Sequence, residues 1–179
     1  NQNTALGLNV FAALTSGDDN VAVGTASLTA LTTGSSNTAI GSIALDAITT
    51  SSHNTAVGHE ALTNATSGSG NTAIGKSTMT ATVTGSNNVA VGYAALTAIT
   101  TASNVVAVGH NALATNTTGH SLTAVGQNAL QANTTALGNT AVGFQCMDAN
   151  TTGNESAALG YNALGAHTTG NSNVGVGFE

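Results

Sequence analysis

Proline and tryptophan are absent from this 179-residue chain, and charged side chains make up only 4% of it. Aromatic residues contribute a further 3%. Ordinary globular domains carry about 25% charged residues, so this composition argues against a conventional globular enzyme. Solubility must come mainly from neutral amides and hydroxyls.

Cations, long apolar runs and cysteine pairs are also missing. Lys76 is the only lysine or arginine, against seven acidic residues. A nucleic-acid partner is not expected, because phosphate binding needs several Lys or Arg contacts. No apolar run approaches the about 20 residues of a membrane-spanning helix, so membrane insertion is not expected. Cys146 is alone, which excludes an intrachain disulfide. Its repeat position is alanine in six other coils, which indicates a small buried side chain.

The chain is rich in one five-residue phrase, Asn-Thr-Ala-Val/Ile-Gly, as at residues 54–58. Its glycine recurs at every seventeenth position without insertion, at Gly7, Gly24, Gly41, Gly58, Gly75, Gly92, Gly109, Gly126, Gly143, Gly160 and Gly177. A strict period in this range indicates one supersecondary unit stacked on copies of itself. The sequence therefore predicts an all-β repeat solenoid, a parallel β-roll or β-helix.

The seventeen positions of each coil are numbered here from the first residue of the phrase. A single solenoid domain then covers residues 1–179, with ten full coils over residues 3–172 and a partial coil over residues 173–179. Both chain ends lie within two residues of a repeat phrase. We therefore expect the chain to be a fragment of a longer fibre.

Two repeat positions are predicted to form ladders of core side chains. Position four is always branched and apolar: Leu6, Val23, Ile40, Val57, Ile74, Val91, Val108, Val125, Val142, Leu159 and Val176. Position nine is large and apolar: Phe11, Leu28, Leu45, Leu62, Met79, Leu96, Leu113, Leu130, Met147 and Leu164. Positions two and four share one strand face, and the Ala and Gly of positions three and five share the other. We interpret the bulky face as the core and the bare face as the contact for another chain.

The second half of each coil has an ambiguous pattern. Apolar residues at positions eight, nine and twelve fit one helical turn, whereas positions nine and eleven also fit a short strand. The Thr-Thr-Gly segments that end most coils indicate turns. Position twelve becomes polar at Asn116, Asn133 and Asn150, which predicts an amide ladder between coils.

Self-association is expected from the thin core. About two large apolar side chains per coil are few against the entropy of ordering the whole backbone of that coil. A homotrimer would bury three Ala/Gly faces around one axis without open edges. A dimer or a thicker monomeric β-helix would satisfy the same energetics.

The phrase Asn-Thr-Ala-Val/Ile-Gly, followed by x-x-Ala-Leu and then Asn-Thr-Thr-Gly, resembles repeats of bacteriophage tail-fibre and tail-spike shafts. It is also similar to the shorter Val-Ala-Ile-Gly repeats in the heads of bacterial trimeric autotransporter adhesins. The resemblance covers residues 3–177. The adhesin heads imply a left-handed parallel β-roll, three chains wound side by side, and a binding surface held away from the cell. The adhesin unit is shorter than the repeat of this chain, so the second half of the coil is expected to differ.

No catalytic, cofactor or metal site is expected. His59 beside Glu60 is the best local pair, but His59 and His110 share position six three coils apart, about 14 Å, too far for ligands of one ion. Asp18 and Asp19 read as a solvated turn, since no repeating Asp pattern follows. The remaining histidines are His53, His120 and His167.

Two further groups of residues have alternative interpretations. Tyr93, Phe144, Tyr161 and Phe178 share position six and form either a stripe that stacks on sugars or isolated surface groups. Asn-x-Ser/Thr sequences, the acceptors of N-linked glycans, occur at Asn64, Asn116, Asn133, Asn150 and Asn154. In a chain this rich in Asn and Thr, such sequences are expected by chance.

Our leading hypothesis is the structural shaft of an extracellular trimeric fibre, like a phage tail fibre, which presents a receptor-binding tip. The alternative is a bacterial surface adhesin or self-assembled filament whose flank binds host matrix, glycans or a protein receptor. A third hypothesis is an ice-binding β-solenoid, because Thr-Thr pairs stack along one edge. Catalytic activity is not expected. The expected location is a virion or a bacterial cell surface.

Overall fold

The computed structural model describes residues 2–179. Each coil contributes one three-residue strand, at positions two to four. The eleven strands are β1 (Thr4–Leu6), β2 (Val21–Val23), β3 (Thr38–Ile40), β4 (Thr55–Val57), β5 (Thr72–Ile74), β6 (Val89–Val91), β7 (Val106–Val108), β8 (Thr123–Val125), β9 (Thr140–Val142), β10 (Ala157–Leu159) and β11 (Val174–Val176). They form one parallel sheet in the order β1 to β11.

Neighbouring strands pair with a constant offset of one coil. In the β4–β5 pair, Thr55 lies opposite Thr72 and Val57 lies opposite Ile74. Like residues therefore stack on like residues along the axis. The predicted parallel β-solenoid, with one coil for each sequence repeat, is confirmed.

The second half of the coil is a run of turns, and the structure contains no helix within residues 2–179. Hydrogen bonds between coils nevertheless continue through it. Leu45 N–H donates to the Ala61 carbonyl at 3.1 Å, and Ala47 N–H donates to the Thr63 carbonyl at 3.2 Å. The turns therefore stack on the next coil as the strands do, without adopting either of the two predicted elements.

Alternating backbone conformation explains why the apolar spacing in this segment is not helical. Positions seven and nine both have positive φ, as at Glu60 (58°) and Leu62 (51°). This region costs an L-residue about 1–2 kcal/mol. Full burial of a leucine gains about 1.5–3 kcal/mol, and Leu62 is fully buried. Burial thus offsets the backbone strain at position nine.

The glycine that ends each strand is fixed by conformation and by close stacking. Gly58 has φ of +138°, a region that side chains rarely adopt. A Cβ atom built on Gly58 would lie 2.5 Å from the Gly75 carbonyl oxygen of the next coil. Both constraints recur along the chain and account for the regular glycine series.

The two faces of the strand are oriented opposite to the sequence interpretation. The alanines of position three point inward, and those of β2 to β9 are fully buried. Position four, expected to be a core ladder, points outward. Its members are exposed at Leu6, Ile40, Ile74, Leu159 and Val176, and half-buried at Val23, Val57, Val91, Val108, Val125 and Val142.

The narrow interior of the coil is the physical reason for this orientation. Gly175 occupies the alanine position in the last strand, and a Cβ atom built there would lie 2.5 Å from Cγ of Leu164 at position nine. The alanine methyl groups of β2 to β9 are fully buried, and at Gly175 even a methyl group would collide with Leu164. The interior therefore has no room for the branched residues, which lie outside. The alanine ladder is covered by its own chain and is not the contact for another one.

The core is formed by positions one, three, eight, nine, twelve and fifteen, except that in the fifth coil Val83 at position thirteen is buried and Thr82 at position twelve is exposed. The position-nine side chains from Leu28 to Met147 are fully buried, while Phe11 and Leu164 in the terminal coils are partly buried. Cys146 at position eight is buried among the alanines of neighbouring coils.

Candidate functional site

The most extended candidate surface is the outer sheet face, defined here as the second- and fourth-position side chains of β1 to β11. Each of these positions holds Thr, Val, Ala, Leu or Ile, and none is charged. Ile40 and Ile74 in the middle of the chain remain 41% and 40% exposed. With strands about 4.8 Å apart, the face is a strip about 50 Å long.

Aromatic rings at position six border the outer sheet face and stack on one another. The ring centroids of Phe144 and Tyr161 are 5.0 Å apart, as are those of Tyr161 and Phe178. Tyr93 stacks on His110 at 5.4 Å. These rings are therefore not isolated surface groups. Since the ring faces cover each other, a sugar would find a free face only at the ends of a stack.

A buried amide ladder runs along position one. The Asn37 Nδ2 group donates to the Ser51 carbonyl at 2.9 Å, and its Oδ1 accepts the backbone N–H of Asn54 at 3.0 Å. The same pattern holds at six further fully buried or terminal members, Asn3, Asn20, Asn54, Asn71, Asn88 and Asn139. We did not predict this ladder. The signal was present, since position one is Asn in the first six coils.

The predicted amide ladder at position twelve is present. Asn133 Nδ2 donates to Asn116 Oδ1 at 2.9 Å, and Asn150 Nδ2 donates to Asn133 Oδ1 at 3.4 Å. All three side chains are fully buried. Asn116 and Asn150 also accept the N–H of the glycine three residues later, at 3.1 Å each.

Both ladders serve the same backbone group, the carbonyl of position fifteen. Asn20 at position one donates to Gly34 O at 3.0 Å, whereas Asn116 at position twelve donates to Gly119 O at 3.1 Å. In the ninth coil, Asn139 and Asn150 both donate to Gly153 O, at 2.7 and 3.0 Å. His167 takes this role in the tenth coil, with Nε2 2.7 Å from Gly170 O. A buried carbonyl oxygen without a hydrogen-bond donor costs free energy, and each of these side chains supplies that donor.

A third ladder consists of threonine hydroxyls at position thirteen. Thr32 Oγ1 donates to the Thr49 carbonyl at 2.9 Å, and Thr117 Oγ1 donates to the Thr134 carbonyl at 3.1 Å. The hydroxyl hydrogens of these threonines are therefore used within the solenoid rather than offered to an external ligand.

The ionisable side chains are scattered rather than gathered into a site. His59 Nδ1 lies 3.6 Å from Glu60 Oε2, which also accepts the Ser77 hydroxyl at 3.2 Å. His120 Nδ1 accepts the Ser103 N–H at 3.0 Å. Asp19 has φ of 58° in a turn. Within residues 2–179, no three His, Cys, Asp or Glu side chains are placed to hold a metal ion.

Three ionisable groups have pKa values shifted by burial. Desolvation raises the pKa of Asp46 and of Asp148, both at position ten, and backbone hydrogen bonds partly counteract the shift. Desolvation also raises the pKa of the buried Cys146 thiol. A raised thiol pKa reduces the thiolate fraction, so Cys146 is unsuited to nucleophilic chemistry.

A shallow groove of about 450 Å³ crosses the turns of the third to fifth coils. Its lining comprises Ile43, Glu60, Thr63, Asn64, Ser77 and Thr80. Its one carboxylate and its mostly neutral polar lining form no recognisable catalytic arrangement.

Comparison of the chain with protein-family models, with curated proteins and with solved structures gives no match. Residues 2–179 include no helix of the length and apolarity needed to cross a membrane. The function of the chain is therefore inferred from the geometry of the solenoid and its outer sheet face.

Proposed function

We propose that this chain is the structural shaft of an extracellular fibre, assembled from three copies that contact one another through the outer sheet face. The observation that carries the proposal is the uncharged, half-exposed character of that face along all eleven strands. In this proposal the chain acts as a spacer that presents a receptor-binding tip to a glycan or protein at a cell surface. No catalytic step or cofactor is involved.

The size of the outer sheet face supports association. A strip about 50 Å long and three residues wide has an area on the order of 500 Å². That is the size of the largest apolar patch on a typical monomer, about 300–600 Å², and such patches are often functional surfaces. Packing the second- and fourth-position ladders of one copy against those of another copy removes an apolar surface of that size from water. Threefold closure does so without leaving an open-ended lattice.

The internal ladders support a mechanical role. Strand pairs, turn-to-turn hydrogen bonds and the amide and hydroxyl ladders join each coil to the next around its whole circumference. Bending the rod must disturb several of these at once. Such a structure is suited to a stiff spacer.

The oligomer interface is tested by placing one charge on the outer sheet face. Val91→Asp puts a carboxylate on β6, where three copies would converge, while Thr101→Asp adds the same charge at an exposed turn position. We expect the wild type and Thr101→Asp to have three times the 17.2 kDa chain mass. Val91→Asp should weaken association by about 100-fold or more, because juxtaposed like charges cost several kcal/mol.

Light scattering and analytical ultracentrifugation provide the masses, and far-UV circular dichroism verifies that both variants fold. A monomeric wild type would contradict the proposal. So would an unchanged trimer for Val91→Asp, because the carboxylates would then lie away from the contact.

The outer sheet face also favours a second function, ice binding by a monomer. Thr38, Thr55 and Thr72 form a regular Thr ladder beside the Val/Ile ladder on the same strands. This is a better candidate than the Thr-Thr pairs of the turns, whose first hydroxyl donates within the solenoid. Thermal hysteresis in wild type, lost in Thr55→Glu, would support ice binding. A trimer without hysteresis would eliminate it.

A further inference from the structure

The five Asn-x-Ser/Thr sequences differ sharply in their structural environments. Asn64 is exposed at the rim of the turn groove and Asn154 is half-buried. Asn116, Asn133 and Asn150 are fully buried, in three successive coils. An N-linked glycan acceptor normally lies on a surface loop, and these three sites do not.

Attachment of a glycan would destroy the local packing at each buried site. The Nδ2 atom exchanges one hydrogen for a bond to the anomeric carbon of the sugar, and the lipid diphosphate that carried the oligosaccharide leaves. The one hydrogen left on Nδ2 could keep at most one of the hydrogen bonds that this nitrogen donates. The larger obstacle is volume, since a bulky sugar cannot fit at a side chain with no exposed surface.

The position of these amides in the ladder extends the damage beyond one coil. Asn116 Oδ1 accepts both Gly119 N–H and Asn133 Nδ2, and Asn133 Oδ1 accepts Asn150 Nδ2. Displacing any one of the three side chains leaves buried polar groups without partners in the neighbouring coil. A modified nascent chain could therefore not close coils seven to nine.

We propose that this solenoid folds in a compartment that has no N-linked glycosylation machinery, such as a bacterial cell or a cytosol. Acceptor sequences are modified on the extended nascent chain, before burial can protect them. A chain routed through a glycosylating secretory pathway would therefore receive sugars on the three amides that must become buried. This inference concerns where the chain folds and is independent of the proposed function.

The test expresses the full chain behind a secretory leader in cultured eukaryotic cells and, separately, without a leader in bacterial cytosol. We expect the bacterial material to fold. The secretory material should carry glycosidase-sensitive mass at Asn116, Asn133 and Asn150, located by peptide mass spectrometry, and should be retained in the cell.

A triple variant isolates the cause of retention. Thr118→Ala, Thr135→Ala and Thr152→Ala remove the three acceptor sequences but keep every ladder asparagine; these threonines lie at position fourteen, exposed at Thr135 and Thr152 and half-buried at Thr118. The triple variant should be secreted in folded form. Thr66→Ala, which removes only the surface acceptor sequence at Asn64, should be retained like the wild type.

Blocking synthesis of the lipid-linked sugar donor gives a second route to the same result, without any substitution, and should release the wild type. Three outcomes would overturn the proposal: wild type secreted in folded form with the three sites occupied, wild type secreted in folded form with them unoccupied, or retention that neither the triple variant nor the block relieves.

Discussion

Coils two to six and coils seven and eight each bury one asparagine amide, but at different repeat positions. Residues 20–104 place Asn at position one, with a buried Leu31, Ile48 or Ile99 at position twelve of three of these coils. Residues 105–138 reverse the pair, with Val105 and Leu122 at position one. In both regions the interior holds one amide and one apolar side chain. Coils two and seven both keep a hydrogen bond to the position-fifteen carbonyl, although its donor stands at position one in coil two and at position twelve in coil seven.

The ninth coil shows that the two solutions are compatible. It carries Asn139 and Asn150 together, both fully buried, and both donate to the Gly153 carbonyl. A single coil can therefore hold the amides of both regions at once. It also shows that the interior tolerates a second amide when a carbonyl lone pair is free to accept it.

The largest expected effect concerns a feature that both regions share. Gly58→Ala places a methyl group against the Gly75 carbonyl at a φ of +138°. We expect destabilisation of about 4 kcal/mol or more, measured as a shift of the urea unfolding midpoint. Gly126→Ala in the eighth coil should cost a similar amount, because its Cβ would meet the Gly143 carbonyl.

A matched glycine provides the control. Gly138 at position seventeen also has positive φ, but a Cβ atom there would lie 3.6 Å from its nearest neighbour, the Glu155 Cγ. Asn87 and Asn104 adopt φ of 60° at the same repeat position. Gly138→Asn should therefore change stability by about 0.5 kcal/mol or less. Equal costs at Gly58 and Gly138 would contradict the role of close stacking.

An intermediate effect on stability is expected from moving the amide of one coil from position one to position twelve. Asn37→Val removes the donor to the Ser51 carbonyl and the acceptor of Asn54 N–H. Loss of two buried partners should cost about 2–5 kcal/mol. Adding Ile48→Asn recreates the arrangement of coil seven and should recover about 1 kcal/mol or more.

A double-mutant cycle in urea measures this coupling directly. The double variant should be more stable than the sum of the two single substitutions predicts. Strict additivity would mean that the amides at positions one and twelve do not share the position-fifteen carbonyl in the way that their bond distances indicate.

The smallest effect distinguishes two partly buried carboxyls, Asp46 in the third coil and Asp148 in the ninth coil. Burial raises the pKa of Asp46 above its ordinary value of 3.8, and Asp46 Oδ1 is buried without a hydrogen-bond partner in the described chain. The folded state thus binds this proton more tightly than the unfolded state. Its contribution is fully present below pH about 3.8 and is lost as the pH rises through the folded pKa.

Asp46→Asn should therefore stabilise the chain slightly at neutral pH, by about 0.5 kcal/mol, and flatten the acid limb of the stability curve. Asp148→Asn should gain less, because two backbone hydrogen bonds already favour its charged form. Thermal melts from pH 3 to pH 7 would reveal both differences. A destabilised Asp46→Asn would contradict this interpretation.

Periodicity was sufficient to predict the solenoid, the parallel strands and the coil length, because the spacing of residues such as Gly41, Gly58 and Gly75 has one simple structural explanation. It also predicted the alternation of the strand faces. It could not decide which face was inside, since that depends on the width of the interior. The leucine ladder fills the interior and leaves room for Ala56, but not for Val57, on the inner face.

The conformation of the second half of the coil could not be predicted from the sequence, for a different reason. Leu62 has a strong preference for negative φ and adopts 51° only because burial compensates. The amide ladder at position one was missed because Asn54 precedes a strand and resembles a turn residue. Its burial follows from the stacking of its neighbours Asn37 and Asn71, which no single repeat displays.

In-register stacking has a consequence for how such a chain changes length over generations. Each strand pairs only with the strands of the coils before and after it, and every pairing is offset by one whole repeat. Duplication or loss of the gene segment that encodes one repeat would add or remove one coil, about 4.8 Å of rod, and leave every remaining ladder intact. A change of any other size would interrupt the ladders, so the gene can vary the reach of the rod only in whole steps.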